Sequence, residues 1–247
     1  MKRVGIDIGG SGIKGAVVDV GTGDLVSERE RIDTPAGFGF DDVVATAKSL
    51  VKRLGSDEPL GVGFPGVVAH GVVRSPPTAH EYPGWIGRDL AAALEDVSGV
   101  ETTVLNDADA AGVAEHAFGA GRNRDGVVMV FTLGTGVGSA VFVDGRLVPN
   151  TELGKLHVAD QRDVAELQIA DRVRQDEDLN WSEWGERLNE YFQHVDRLFS
   201  PDLVIIGGGV SKKHEKFLHR IEIRAELAVA ELRNHAGIVG AAVAAAA

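Results

Sequence analysis

The chain has 247 residues, of which 44% are hydrophobic and 25% charged, and its formal net charge at pH 7 is −12. That length suits one large domain or two of moderate size, and the hydrophobic content is enough for a sizeable core. The acidic balance argues against nucleic acid or an anionic membrane as a partner, because both require a basic face.

Residue types and segments that the sequence lacks exclude further classes of protein and of site. The sequence has no cysteine, which removes disulfide frameworks, thiolate zinc sites and cysteine nucleophiles together. Its eight histidines show no metal-binding spacing, so no zinc is expected. We find neither a signal peptide nor an apolar run near the roughly 20 residues of a membrane helix. We therefore expect a cytoplasmic protein without a membrane partner.

Hydrophobic periodicity predicts strands and helices that alternate along the chain, as is typical of an α/β protein. Strands are predicted at 3–8, 13–20, around 25–33, within 59–66, at 101–106, three times within 126–148 and from residue 201 onward. Helices are predicted at 40–54, 87–99, 107–121, 163–175, 181–199, after the glycines at 207–209 with Ser211 as a cap, and at 236–247. Segment 71–85, with three prolines, is expected to be irregular.

One part of the chain repeats another. Residues 126–148 follow the plan of residues 1–20, with an apolar strand, a glycine-rich turn, a second apolar strand and a further turn. Such self-similarity indicates an internal duplication.

Three glycine-rich loops follow predicted strands: DIGGSGIK (7–14), LGTGVG (133–138) and IIGGGVS (205–211). Glycines let backbone N–H groups approach a phosphate closely. The first two loops either bind phosphate in this way or are ordinary tight hairpins. The third suits a nucleotide or is a short connection from strand to helix. Asp7, at the end of its strand, is a candidate to orient a magnesium ion or its water shell.

Asn106 and Asp107 lie where a predicted strand meets a helix. Open α/β sheets place ligands at this edge, and a carboxylate there can take a proton from a substrate hydroxyl. The alternative is that Asp107 only caps the helix. Glu152, Lys155 and Glu166 are the next candidate polar groups; they either line a sugar site or are exposed loop charges.

Taken in order along the chain, these motifs resemble the ROK family of sugar kinases, and within it the polyphosphate-dependent glucokinases of actinobacterial type. The motifs are DIGGSGIKGAVVD, GFPG, LNDADAA, LGTGVGSA, TELG, LFSPDLVIIGGGVSK and NHAGIVGAA. The resemblance implies the actin-like ATPase (ribonuclease H-like) fold, with two α/β domains around a cleft. It places a small N-terminal domain at 1–106 plus 235–247, to which the last helix returns, and a larger domain at 107–234.

The resemblance also implies an activity: transfer of a phosphoryl group from polyphosphate, ATP or both to the 6-hydroxyl of glucose or a related hexose, with Mg²⁺ and in a homodimer. Asp107 is then the general base, and Asp7 an indirect magnesium ligand. Sugar-binding residues would be Gly66, Asn106, Asp107, Glu152, Lys155 and Glu166. Phosphate- or nucleotide-binding residues would be Asp7, Gly9, Gly10, Ser11, Lys14, Gly134, Thr135, Gly136, Gly207, Gly208 and Gly209.

The sequence departs from the family pattern near the acceptor sugar. Lys155 stands where the family usually has histidine, and SPPTAHEYPG replaces the usual loop at 75–84. A family member with altered specificity, or one that binds a sugar or nucleotide without catalysis, is therefore the alternative. A regulator of this family would add a DNA-binding domain before the first strand, and here that strand starts at residue 4.

Overall fold

The computed structural model describes residues 1–77, 82, 84–158 and 163–246, and the chain divides into two compact units. The first unit contains Met1–Phe118 and the C-terminal residues from His235 onward, and the second contains Gly119–Asn234. The sequence predicts the division after residue 106. The contacts place it after Phe118, because the helix from Asp107 to Phe118 packs tightly against the last helix of the first unit.

The elements alternate as predicted. The strands are β1 (Lys2–Ile8), β2 (Ile13–Asp19), β3 (Asp24–Leu25), β4 (Glu30–Ile32), β5 (Leu60–Phe64), β6 (Val68–Ala69), β7 (Val72–Val73), β8 (Thr102–Asn106), β9 (Val127–Leu133), β10 (Val137–Val143), β11 (Arg146–Val148), β12 (Leu203–Gly207) and β13 (Glu226–Val229). The α-helices are α1 (Phe40–Leu54), α2 (Leu90–Ser98), α3 (Asp107–Phe118), α4 (Glu166–Ile169), α5 (Asp171–Asp176), α6 (Trp181–Phe199) and α7 (Ala236–Ala244). Short 3₁₀ helices lie at Leu153–Lys155, Gly209–Lys216, Leu218–Arg220 and Arg233–His235.

Several predicted elements differ in detail. The strand around 25–33 is two short strands, and the helix at 163–175 is α4 followed by α5, with a break in helical geometry at Ala170. The prediction that Ser211 caps an α-helix is wrong. The segment is the 3₁₀ helix Gly209–Lys216, and Ser211 lies inside it, with both its N–H and its hydroxyl donating to the Gly208 carbonyl.

The two sheets have the same topology. In the first unit the order is β3-β2-β1-β5-β8, with β4 also paired to β2; in the second it is β11-β10-β9-β12-β13. Each begins with an antiparallel hairpin, β1–β2 or β9–β10, whose first strand then pairs in parallel with the next strand along. The repeated strand plan that the sequence predicts for residues 1–20 and 126–148 is confirmed. The glycine loops after β1 and β9 consequently occupy equivalent places, at the carboxyl ends of the first strands.

Each unit has its own apolar core. In the first, Trp85 is fully buried among Phe38, Phe40 and Phe64, and its indole N–H donates to the Phe38 carbonyl over 2.8 Å. In the second, α6 begins with a capping box at Asn180 and buries one apolar face. The helical spacing of Trp184, Leu188, Tyr191, Val195 and Leu198 predicts one apolar face, but Leu198 at its end is 56% exposed. In the described part of the chain, no helix combines the length and apolarity that a membrane span requires.

Candidate active site

The first glycine loop closes the β1–β2 hairpin. The Gly9 N–H donates to the Gly12 carbonyl over 3.2 Å, between the paired residues Ile8 and Ile13. Gly10 and Ser11 are exposed at the tip. The hairpin expected from the sequence is thus confirmed, and its tip is open to a ligand.

Strand β4 and the residues after it hold this loop in place. Arg31 donates to the Ser11 carbonyl over 2.7 Å and pairs with Asp33 at 2.8 Å, while the Thr34 hydroxyl donates to the Gly9 carbonyl. Sequence reasoning missed Arg31 and Thr34. The pairing of β4 with β2 brings them to the loop, and that pairing has no local sequence signature.

Asp7 and Lys14 face each other across the same hairpin. They are register partners, and the Lys14 Nζ lies 3.6 Å from the Asp7 Oδ2. Burial raises the pKa of the Asp7 carboxyl above its usual value, while Lys14 and Arg29 oppose that shift. Among the residues the structure describes, no group of three or more His, Cys, Asp and Glu side chains could hold a metal ion. Magnesium commonly binds through one or two carboxylates plus substrate phosphates, and a single carboxylate at Asp7 fits that pattern.

The junction of β8 and α3 is fixed by Asn106 rather than by Asp107. The Asn106 Oδ1 accepts from the N–H groups of Ala108 and Asp109 at 2.8 and 3.0 Å, as a helix cap does. Its amide N–H donates to the Gly66 carbonyl over 3.2 Å. Asp107 is the first residue of α3, and its Oδ1 accepts from Ala108 N–H at 2.8 Å. Capping of α3 was the alternative role predicted for Asp107, and Asn106 performs it instead.

Gly66 has little room for a side chain. A Cβ there would lie 2.9 Å from a ring carbon of Phe64 and 3.1 Å from the Ser75 hydroxyl oxygen. The structure thus brings the predicted sugar-side residues Gly66 and Asn106 together. Half of the unusual loop at 75–84, namely residues 78–81 and 83, lies outside the described residues, as do residues 159–162 ahead of Glu166.

The second glycine loop closes the β9–β10 hairpin and is braced by Glu166. The Gly134 N–H donates to the Gly136 carbonyl over 3.0 Å, with Thr135 exposed at the tip. The Glu166 Oε2 accepts from the Val137 N–H at 2.9 Å, and its Oε1 accepts from the Lys155 Nζ at 2.6 Å. Both oxygens of a residue predicted to bind sugar are therefore engaged with protein groups.

The third glycine loop lies beside the end of β9. Gly208 has φ +82°, and a Cβ there would lie 2.3 Å from the Leu133 carbonyl oxygen. The Arg172 N–H donates to the Gly134 carbonyl over 3.2 Å. The second and third loops are thus neighbours at the carboxyl ends of β9 and β12, where parallel sheets commonly place ligands. The contact of Arg172 could not be predicted from the sequence, since only the fold brings the start of α5 to the loop.

Glu152 is partly buried near Lys155 and Glu166, and burial raises the pKa of its carboxyl, with Lys155 opposing the shift. An acid with a raised pKa in the folded state lowers stability when it is ionised, and that cost fades as the pH falls through its pKa. We expect Glu152→Gln to raise the melting temperature at pH 7, with the gain disappearing below about pH 4. Melting curves of both proteins from pH 4 to 8 test this; a gain that is the same at every pH would contradict it.

Gly134 has free space around its Cα. A Cβ added there would meet no atom within 4 Å, and the φ angle of Gly134 lies outside the left-handed region. Packing therefore does not explain glycine at this position, whereas close approach of a ligand would. We expect Gly134→Ala to leave the midpoint of urea unfolding unchanged and to weaken binding of a phosphate-bearing ligand about tenfold. Unchanged affinity would show that the loop does not contact such a ligand, and a large loss of stability would show that packing requires glycine at this position.

Comparison with known proteins agrees with this geometry. The model of the ROK family matches residues 3–164. A polyphosphate glucokinase of Mycobacterium tuberculosis (strain H37Rv) is 44% identical over 243 residues, covering 97% of this chain and 89% of the relative. The polyphosphate glucokinase of Mycobacterium leprae (strain TN) is 42% identical, over 97% of this chain and 73% of the relative.

Solved structures give the same result. The inorganic polyphosphate/ATP-glucomannokinase of Arthrobacter sp. strain KM superposes with a TM-score of 0.92 at 44% identity, covering 99% of this chain and 98% of that one. A ROK family glucokinase of Streptomyces griseus, in complex with glucose and AMPPNP, superposes with a TM-score of 0.82 at 23% identity, covering 98% of each chain. These likenesses confirm the predicted actin-like ATPase fold.

Proposed function

Because the chain belongs to the ROK family, we propose that it is a sugar kinase, transferring a phosphoryl group from polyphosphate or ATP to the 6-hydroxyl of glucose or a related hexose. The observation that carries the proposal is the carboxylate of Asp107 at the carboxyl end of β8, on a helix start that Asn106 fixes. The identity of 44% with a mycobacterial polyphosphate glucokinase supports the same reaction. Retention of this acid and of both glycine hairpins disfavours a non-catalytic relative.

The proposed chemistry begins with the sugar hydroxyl. Asp107 accepts its proton, the oxygen forms a bond to the terminal phosphorus of the donor, and the bond from that phosphorus to the next phosphate breaks. The backbone N–H groups of the glycine loops and the Lys14 ammonium offset the charge on the transferred group. A magnesium ion near Asp7 would, when bound, neutralise negative charge on the donor phosphates.

The proposed roles differ among the sugar-side residues. Glu152 and Lys155 are proposed to hydrogen-bond sugar hydroxyls, and Gly66 and Asn106 are proposed to contact the sugar as well. Asn106 still carries a second amide hydrogen beyond the one donated to Gly66. Glu166 is proposed as a positioning residue, because its carboxylate links Lys155 to the second glycine loop.

We also propose that the protein is a cytoplasmic homodimer. Exposed Leu198 and Phe199 at the end of α6, 56% and 37% accessible, are apolar groups that a second copy would cover. A chain without cysteine needs no oxidising compartment for its stability.

A matrix of donors and sugars tests the proposed function. Purified protein is incubated with ATP or long-chain polyphosphate, Mg²⁺, and glucose, mannose or an amino sugar, and sugar 6-phosphate is measured. Glucose or a close relative should be phosphorylated with at least one donor. No product from any pair would contradict the proposal, and binding of a hexose without turnover would favour the non-catalytic alternative.

A further inference from the structure

The second unit carries a cluster of three cations around one indole ring, outside the groups used so far. The ring of Trp181 lies 4.2 Å from the Arg174 guanidinium carbon, 5.7 Å from the Lys213 Nζ and 5.5 Å from the Lys216 Nζ, each measured to its centroid. We call these four side chains the Trp181 cluster. A local concentration of positive charge is unexpected in a chain of net charge −12, and this suggests that the cluster has a function.

The charges of this cluster are poorly balanced by acids. Arg174 pairs with Asp171 at 2.7 Å. Within the ranges that the structure describes, neither Lys213 nor Lys216 forms an ion pair, and both are exposed. Contact with the indole face stabilises each cation, but like charges around one ring repel one another. A bound anion would remove that repulsion.

The cluster adjoins the two glycine loops of the same unit. Lys213 and Lys216 belong to the 3₁₀ helix that starts at Gly209, directly after the third loop. Arg174 lies on α5, whose Arg172 N–H donates to the Gly134 carbonyl of the second loop. A ligand with one end at these loops can therefore continue along the segments that lead to Trp181, past the exposed Lys212.

We propose that the Trp181 cluster binds the distal part of an inorganic polyphosphate chain, beyond the phosphates held by the glycine loops. This inference rests on the proposed kinase function and specifies its donor. A repeating polyanion satisfies several separated cations at once, whereas a nucleotide ends in a base. The cations surround the Trp181 ring at 4.2–5.7 Å, and they favour phosphate over a purine stacked on the indole.

The first test compares donors of different length. In the variant Lys213→Gln/Lys216→Gln we expect the KM for long-chain polyphosphate to rise about tenfold and to depend less on salt, because fewer counterions are released on binding. The KM for tripolyphosphate, which the proposal assigns to the glycine loops alone, should change by less than about twofold. Lys48→Gln/Lys52→Gln is the matched control: it removes the same charge from exposed positions on α1 and should change neither KM.

The second test measures binding without turnover. Trp85 and Trp184 are fully buried and Trp181 is partly exposed, so tryptophan emission should change when long-chain polyphosphate is added in the absence of sugar. The change should be lost in Trp181→Phe and weakened in the double lysine variant. Equal KM values for wild type and the double lysine variant, or an emission change that survives in Trp181→Phe, would overturn the proposal.

The two tests distinguish failure of the cluster proposal from failure of the proposed kinase function. If the wild type turns over polyphosphate but the double lysine variant binds and uses it equally well, the cluster proposal is wrong and the function stands. If no donor supports turnover but the emission titration reports binding that depends on Lys213 and Lys216, the proposed function is wrong and the polyanion site stands.

Discussion

Replacement of Asp107 by Asn is expected to lower kcat for sugar phosphorylation by about 10³-fold, the usual contribution of a general base. The variant keeps the side-chain oxygen that accepts from the Ala108 N–H, and the helix start remains capped by Asn106. The substitution therefore removes the proton acceptor while preserving the local structure. Sugar affinity should change by less than about threefold, since the amide can still hydrogen-bond a hydroxyl.

The measurement is steady-state kinetics with each donor, together with calorimetric titration of the sugar. Asp89→Asn is a suitable control, because Asp89 caps α2 by accepting from the Ala92 N–H and asparagine caps helices equally well. The control should retain full activity and stability. If Asp107→Asn instead kept its kcat and only raised the KM of the sugar, Asp107 would be a binding residue and the base would have to be sought elsewhere.

Much of the fold was predictable because its signals are local. Alternating apolar runs separated by glycine turns identified the two hairpins, and the strand that ends at Asn106 located the acidic residue at the start of α3. Self-similarity between residues 1–20 and 126–148 indicated the repeated sheet topology that the structure shows. The strands, turns and hairpins depend on residues that are close in sequence, so hydrophobic periodicity and glycine positions predict them directly.

The missed features depend on contacts between residues distant in sequence. Arg31 reaches the first loop only because β4 pairs with β2, and Glu166 reaches the second loop only because α4 folds back against Val137. Charged residues of this kind look like exposed loop charges in the sequence, and the resemblance to the family, which implies a sugar contact for Glu166, does not predict its bond to the Val137 N–H. A Cβ at residue 136 would lie 2.5 Å from the Glu166 Oε2, so a side chain there would displace this carboxylate from the Val137 N–H.

Glycines illustrate the same limit. Residues 61–66 hold three glycines, which suggest a ligand-binding loop like the three glycine-rich loops, but Gly61 lies inside β5 and serves packing. A Cβ at Gly61 would lie 1.7 Å from the Ala241 carbonyl oxygen of α7, and one at Gly240 of α7 would lie 1.6 Å from the Ala110 carbonyl oxygen of α3. Helix α7 thus lies directly on the backbone of its neighbours, which no periodicity in its alanine-rich sequence reveals.

Gly61→Ala is consequently expected to destabilise the first unit by about 3 kcal/mol, at the upper end of the cost of overpacking a core. The obstructing atom is a backbone oxygen, so it cannot rotate away as a side chain would, and α7 must shift as a whole. Gly134→Ala, which meets no atom within 4 Å, is the matched control and should change the free energy of unfolding by less than about 0.5 kcal/mol. Urea unfolding of both variants measures the difference.

The same substitution should also affect catalysis, because α7 begins beside Asp7, the carboxylate proposed to act near the donor phosphates. A Cβ at Gly237 would lie 3.2 Å from the Asp7 carboxyl carbon, so the start of this helix forms one wall around that carboxylate. A shift of α7 in Gly61→Ala therefore changes the surroundings of Asp7, and kcat should fall together with stability even though residue 61 touches no substrate in the proposed mechanism. A folded variant with the wild-type urea midpoint would contradict the close packing of α7 on β5. A destabilised variant with wild-type kcat would show instead that Asp7 does not depend on the position of α7.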